Sequence, residues 1–218
     1  MITHHPKHEL LQAFVAGELP VSLSIGVAAH IEMCDECAKT VALLTEQHAE
    51  QVFDTTEQEI LLDDPMLLAM MNDITDNDIQ DKVSIVETPS ITMNDKVISL
   101  PRVFNQVPLK SWNKLGDISR SRLDLNEEPL RSSLLNIEPH GEVPMHSHKG
   151  FELTLLLDGS FSDDMGEYHA GDFIWLDNQH THNRITIDGC LCYTVSDDAL
   201  KFTQGLSKLL NPIGGFIY

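Results

Sequence analysis

Apolar residues in the first third of the chain recur at helical spacing and are cut by short breaks. "HELLQAFVAG", residues 8–17, carries apolar positions on one face and ends at a glycine, after which "GELP" interrupts the chain. "VSLSIGVAAHIEM" (21–33) and "CDECAKTVALLTEQHAEQVF" (34–53) predict two further helices meeting near the cysteines. "DPMLLAMMNDI" (64–74) predicts a fourth, with Asp64 as cap and Pro65 in its first turn. Its three methionines read first as core filler and second as an adaptable partner surface.

From about residue 73 the pattern changes. "NDITDNDIQDKVSIVETPSITMNDKVISLPR" (72–102) is acidic and weakly patterned, as expected of a linker. After Pro101 the apolar residues fall into short strand-like runs separated by turn residues: "SRSRLDL", "RSSLLNIEP", "FELTLLLDG", "GDFIWLD", "NRITI" and "CLCYTV". That spacing predicts a β-sandwich or small barrel. The fold class is therefore α + β and multidomain, a small helical bundle followed by an antiparallel β-sandwich or barrel. The expected division is 1–72 helical, 73–100 linker, 101–203 β-domain and 204–218 tail, the two units having separate cores.

Charge narrows the partners. The net charge is −20 over 218 residues, with a sequence pI near 4.7. Direct binding to a nucleic-acid backbone is excluded as the main role, because it would work against repulsion. The acidity serves solubility or complements a basic protein partner. The longest apolar runs, "MLLAMM" and "LTLLL", are too short to span a bilayer, and "MITHHPKHEL" has no apolar signal core. The expected setting is the cytoplasm.

The four cysteines fall in two pairs, Cys34/Cys37 and Cys190/Cys192, which in a reducing compartment point to metal or redox chemistry. His30 precedes Cys34 by four residues and Cys37 follows by three, so on a helix or helix–turn all three project to one side. One imidazole and two thiolates suit tetrahedral zinc, and His4, His5 and His8 upstream offer the fourth ligand. Cys190 and Cys192 share a strand face and read first as two small buried hydrophobes, second as a redox pair. Trp112 and Trp175 read as core or pocket walls.

The β-half poses a second metal question. His146 and His148 stand at i, i+2, facing one side of a strand, and Glu152 has matching parity if the chain stays extended. His182 is a natural fourth ligand, whereas His169 and His180 read as surface residues or neighbours of the site. Such a set suits zinc, iron, manganese or nickel.

The residues "HHPKHELLQAFVAGELP…AAHIEMCDECAK" resemble the ChrR group of bacterial zinc-binding anti-sigma factors. That resemblance implies zinc on His5, His30, Cys34 and Cys37, with His4 the nearest competitor for the first place. It also implies a clamp that binds an extracytoplasmic-function sigma factor. "GEVPMHSHKGFELTLLLDG" and "GDFIWLDNQHTH" resemble the two cupin motifs. In the first, His146, His148, Glu152 and Gly159 fit, and Gly141 lies one residue too close to His146. The second keeps Gly171 and His182, with Asp177, Gln179 and Thr186 where proline, glycine and asparagine are usual. A second divalent ion, zinc being the expected one, follows from that likeness. Taken together, the resemblances imply a non-enzymatic regulator responding to oxidative stress, singlet oxygen in particular. The alternative is a metal-dependent cupin enzyme, such as a dioxygenase, with a helical appendage.

Overall fold

The computed structural model describes residues 1–54, 65–76, 88–93, 96–147, 150–177, 181–197 and 201–202. Four helices come first: α1 (His8–Val15), α2 (Val21–Met33), α3 (Asp35–Asp54) and α4 (Pro65–Thr75). A hairpin follows, β1 (Ser90–Met93) with β2 (Lys96–Ser99), and then a short 3-10 helix at Arg102–Gln106. The remaining strands are β3 (Asn113–Leu115), β4 (Ile118–Arg122), β5 (Arg131–Ile137), β6 (Glu142–Ser147), β7 (Glu152–Asp163), β8 (Gly166–His169), β9 (Phe173–Leu176), β10 (Thr181–Ile185), β11 (Cys190–Ser196) and β12 (Lys201–Phe202). They form one curled antiparallel sheet in the order β12-β6-β10-β7-β11-β5-β4-β3, with β8 and β9 also on β7. This is the half-barrel of a cupin domain.

Strand β7 organises the curl. Its first half lies between β9 and β11, and its second half pairs with β8 and, at Ser162, with β10. The bend falls at Gly159, whose φ is +78° and where an added Cβ would lie 2.1 Å from the Gly189 carbonyl oxygen. Only glycine allows both that backbone and that approach.

The runs "LTLLL" and "CLCYTV" lack polar alternation because both of their faces are buried. One face, with Leu135, Leu156, Phe161, Ile174, Cys190 and Cys192, fills the barrel interior. The other, with Leu134, Leu153, Leu155, Leu191 and Tyr193, joins Leu11, Leu23, Ile25, Val27 and Ala29 of the helices in a single cluster. The expectation of separate cores is thus corrected: α2 is apolar all round, and only another apolar face can cover its second side. The hairpin lies within the stretch expected as linker and contributes Ile98 to the same cluster.

The methionine reading is corrected too. Met66, Met70 and Met71 of α4 are 72%, 54% and 48% exposed, so they are not core filler. Asp64, the expected cap of that helix, lies outside the described residues, as do the linker centre and the tail from residue 203. Among the described residues no helix is long and apolar enough to cross a membrane.

The seat of α2 is close. A Cβ on Gly26 would stand 2.8 Å from Leu153 Cδ2 and 3.4 Å from Tyr193 Cε1. The Tyr193 hydroxyl donates to the Ser22 carbonyl at 2.8 Å. Gly26→Val is expected to destabilise the full chain by about 1–3 kcal/mol through overpacking. Thermal unfolding measures it, and a wild-type Tm would show that helix and barrel are not in close register.

Candidate metal centre

The HxxxCxxC stretch folds across a helix break. α2 ends at Met33, Cys34 leaves the helical region (φ −126°, ψ 103°), and α3 starts at Asp35, with Ala38 N–H donating to the Cys34 carbonyl. His30 projects from the last turn of α2, Cys34 from the joint and Cys37 from the first turn of α3. The extended arm ahead of α1 adds His5. The candidate ligand atoms of these four residues all lie within 4.8 Å of one another. His5 Nδ1 is 3.5 Å from Cys34 Sγ and 3.4 Å from Cys37 Sγ. His4 turns away, its Nδ1 3.6 Å from Asp172 Oδ1 and its ring against Tyr168. Of the upstream histidines, His5 is the one brought to the cysteines.

The protonation chemistry fits a metal. Burial pushes the His30 imidazole down to about 4, against the opposing pull of the Gly171 carbonyl, so the ring is neutral near pH 7. Its Nδ1 lies 2.8 Å from that carbonyl, which can only accept, so Nδ1 carries the proton. Nε2 is then left as a buried lone pair with no hydrogen-bond partner. An orphaned imidazole nitrogen in a pocket with two sulfurs and a second imidazole is the donor set of a structural zinc site. Burial, and then the neighbouring Cys34, push the Cys37 thiol up to about 12, so without a cation it stays protonated. A zinc ion bound here would supply cross-linking rather than reaction chemistry, tying the arm, α2 and α3 together.

The second predicted set is only partly described. His148 and His180 lie outside the described residues. His146 on β6 and His182 on β10 are directly opposed in register. Glu152, fully buried, opens β7 and meets Arg184, whose Nη2 lies 2.9 Å from Glu152 Oε1. The same Nη2 donates to Thr154 Oγ1 at 3.0 Å, and the guanidinium sits 5.3 Å from the centre of the Phe161 ring. Sequence reading missed Arg184; a lone arginine in the strand-like run "NRITI" was the available signal. Cys190 and Cys192 are free thiols buried in the barrel interior.

Trp175 stacks on Phe151 with ring centres 4.5 Å apart. It also walls a groove of about 670 Å³ between the arm, α1 and β8–β9, so the pocket-wall reading of Trp175 matches its position. His169 lies 3.7 Å from Glu167 at the surface.

Comparison with known proteins follows the same two halves. Residues 104–199 match the family described as the ChrR cupin-like domain. The anti-sigma-E factor ChrR of Cereibacter sphaeroides is 29% identical over 213 residues, covering 97% of each chain. A crystal structure of Rhodobacter sphaeroides SigE in complex with the anti-sigma ChrR matches with a TM-score of 0.71 and 27% identity, over 90% of this chain and 100% of that one. The chain is thus similar to the anti-sigma factor ChrR across both halves, over 97% of its length in sequence and 90% in structure, and residues 104–199 match the ChrR cupin-like domain.

Proposed function

We propose that this protein is a cytoplasmic anti-sigma factor that binds and inhibits an extracytoplasmic-function sigma factor. The observation that carries this reading is the likeness to ChrR, solved in complex with SigE, over the helical half as well as the barrel. Zinc occupies the His5, His30, Cys34 and Cys37 cluster and holds the helical unit, residues 1–72, in its partner-binding form. The barrel, residues 101–203, is the part needed for response to a signal, with oxidative stress the expected one. It takes a second divalent ion, zinc by preference, through His146, His148, Glu152 and His182. Glu152 is already bound by Arg184, so such an ion would share that carboxylate with a guanidinium.

We read the barrel as a sensor and not a catalyst. A metal-dependent cupin enzyme would account for the β-half but gives no reason for a likeness to an anti-sigma factor along the helices. Helix α4 supports a protein partner: it buries none of its residues, and Met66, Leu68, Met70, Met71 and Ile74 are all exposed. An amphipathic or apolar helix of that kind fits a groove on a partner, and methionines adapt to its shape.

The test is co-purification of the full chain with an extracytoplasmic-function sigma factor of the same organism, for wild type and for Met70→Glu with Ile74→Glu. Wild type should form the complex, and the double variant should weaken it at least about 10-fold with an unchanged Tm, since truncating interface anchors costs about 1–2 kcal/mol each. Equal binding by the variant would remove α4 from the interface. Absence of any complex with wild type would sink the function.

A further inference from the structure

We propose that Asp172, a residue of the barrel, is a positioning residue for the metal cluster of the helical half: it straps the N-terminal arm in place and so holds His5 against the two cysteines.

The arm ahead of α1 has no secondary structure of its own, so its backbone groups need partners elsewhere. They find them in the turn that leads into β9. Thr3 N–H and His4 N–H donate to Asp172 Oδ1 at 2.8 and 3.0 Å, and Phe173 N–H donates to the His4 carbonyl at 2.9 Å. Ile2 packs on Gly171, where an added Cβ would meet its Cδ1 at 2.4 Å; with φ at +97° as well, that position requires glycine. Beyond His5, the arm is fixed again where the Lys7 carbonyl accepts from Leu10 and Leu11. His5 therefore sits between two anchors, and the one beside it belongs to the barrel.

The second imidazole is oriented from the same place, because Gly171 accepts from His30 Nδ1. Consecutive residues 171–173 thus orient both histidines of the cluster. The cysteines, by contrast, stand on the α2–α3 joint. Asp172 is itself firmly set. It is fully buried, and Oδ2 accepts from His169 N–H at 2.8 Å. Burial alone would raise its carboxyl, but the donors from His169, Thr3 and His4 hold it below the ordinary value, so it stays charged and its hydrogen bonds are strong. The turn is tied in turn to β7: Gly171 N–H donates to the Leu156 carbonyl at 2.8 Å and Leu156 N–H to the Asp172 carbonyl at 3.1 Å. Strand β7 begins at Glu152. A shift of that strand moves the strap, and the strap moves His5.

This inference rests on the zinc reading of the cluster but not on the identity of the protein partner. The experiment uses the full chain carrying Cys190→Ala and Cys192→Ala, which removes the two free thiols of the barrel, as the background for every variant. It is loaded with cobalt(II), whose thiolate charge-transfer band then reports the Cys34–Cys37 site alone. Band intensity, and its decay rate on addition of excess chelator, are measured for wild type, Asp172→Asn, Asp172→Ala and Thr3→Pro. Loss of an outer partner of a metal ligand costs about 10–100-fold in metal affinity. Asp172→Ala should accelerate the decay by about that factor. Thr3→Pro removes the Thr3 N–H and hydroxyl donors but leaves the His4 N–H on Asp172, so it should accelerate the decay less, and Asp172→Asn, which keeps Oδ1 as acceptor, should fall between wild type and alanine. Decay at the wild-type rate in both Asp172→Ala and Thr3→Pro would overturn the proposal. So would fast decay in Asp172→Ala with wild-type decay in Thr3→Pro, because Asp172 would then serve the barrel turn and not the arm. If Asp172→Ala does not fold, Thr3→Pro decides by itself. Wild-type protein that gives no thiolate band at all overturns the zinc reading and the strap with it.

Discussion

Cys37→Ser is expected to strip the metal from the helical half and to end repression without any signal. Cys37 lies in the first turn of α3 and its sulfur is 3.4 Å from His5 Nδ1, so it links the arm to the third helix. A serine hydroxyl in its place would stay protonated and would be a poor ligand for a borderline-soft ion. Structural zinc contributes roughly 10 kcal/mol or more to the folding of small units that lack a core of their own. The helical half shares its core with the barrel, so the chain should stay folded as a whole while the arm and the α2–α3 joint loosen. Metal analysis should show about one equivalent less zinc than wild type, and a reporter driven by the sigma factor should become constitutively active. Undiminished sigma-factor binding by Cys37→Ser under strong chelation would count against a metal-held clamp.

The second large effect lies inside the barrel. Arg184 and Glu152 are 1% and 0% exposed at the side chain and 2.9 Å apart. Removing one member of such a pair leaves a buried charge uncompensated, which typically costs about 3–5 kcal/mol. Arg184→Met should therefore lower the Tm by on the order of 10 °C for a chain of this size. Adding Glu152→Leu should recover most of the loss, because the pair as a whole contributes little beyond a well-packed apolar replacement. Both outcomes are read from thermal unfolding of metal-free protein. A single variant within about 1 kcal/mol of wild type would mean that the pair is more hydrated than its burial indicates.

The difference between what was legible in the chain and what was not follows from the range of the interactions. The four helices were legible because breaks at Gly17 and Pro20 and the spacing of apolar residues are local signals. The cluster was legible because three of its residues lie within one helix turn and a joint; resemblance supplied His5, and the geometry turns His4 toward Asp172 instead. The shared core was not legible, since the pairing of α2 with Leu153 and Tyr193 joins residues more than a hundred positions apart. Its trace in the sequence was the apolar character of α2 on every side, which one covered face cannot satisfy. Asp172 and Arg184 escaped for a related reason: a single charged residue at the start of or within a short strand-like run looks like an ordinary surface position until its distant partners are known. The hairpin at β1–β2 was masked by the acidic residues around it, which set the average character of the segment.

The start of α2 has a consequence for how the chain is made. Its first two backbone N–H groups, Val21 and Ser22, donate to the carboxylate of Glu127, in the loop before β5, in place of a cap from its own neighbourhood. Its apolar side is covered by β7 and β11, which end at Asp163 and Ser196. A ribosome adding roughly 5–20 residues per second therefore releases α2 on the order of ten seconds before its cap and its cover exist. During that interval His30 also lacks the Gly171 carbonyl that selects its tautomer. The N-terminal half is synthesised first and finished last, and nascent chains stalled before β11 would present α2 to chaperones.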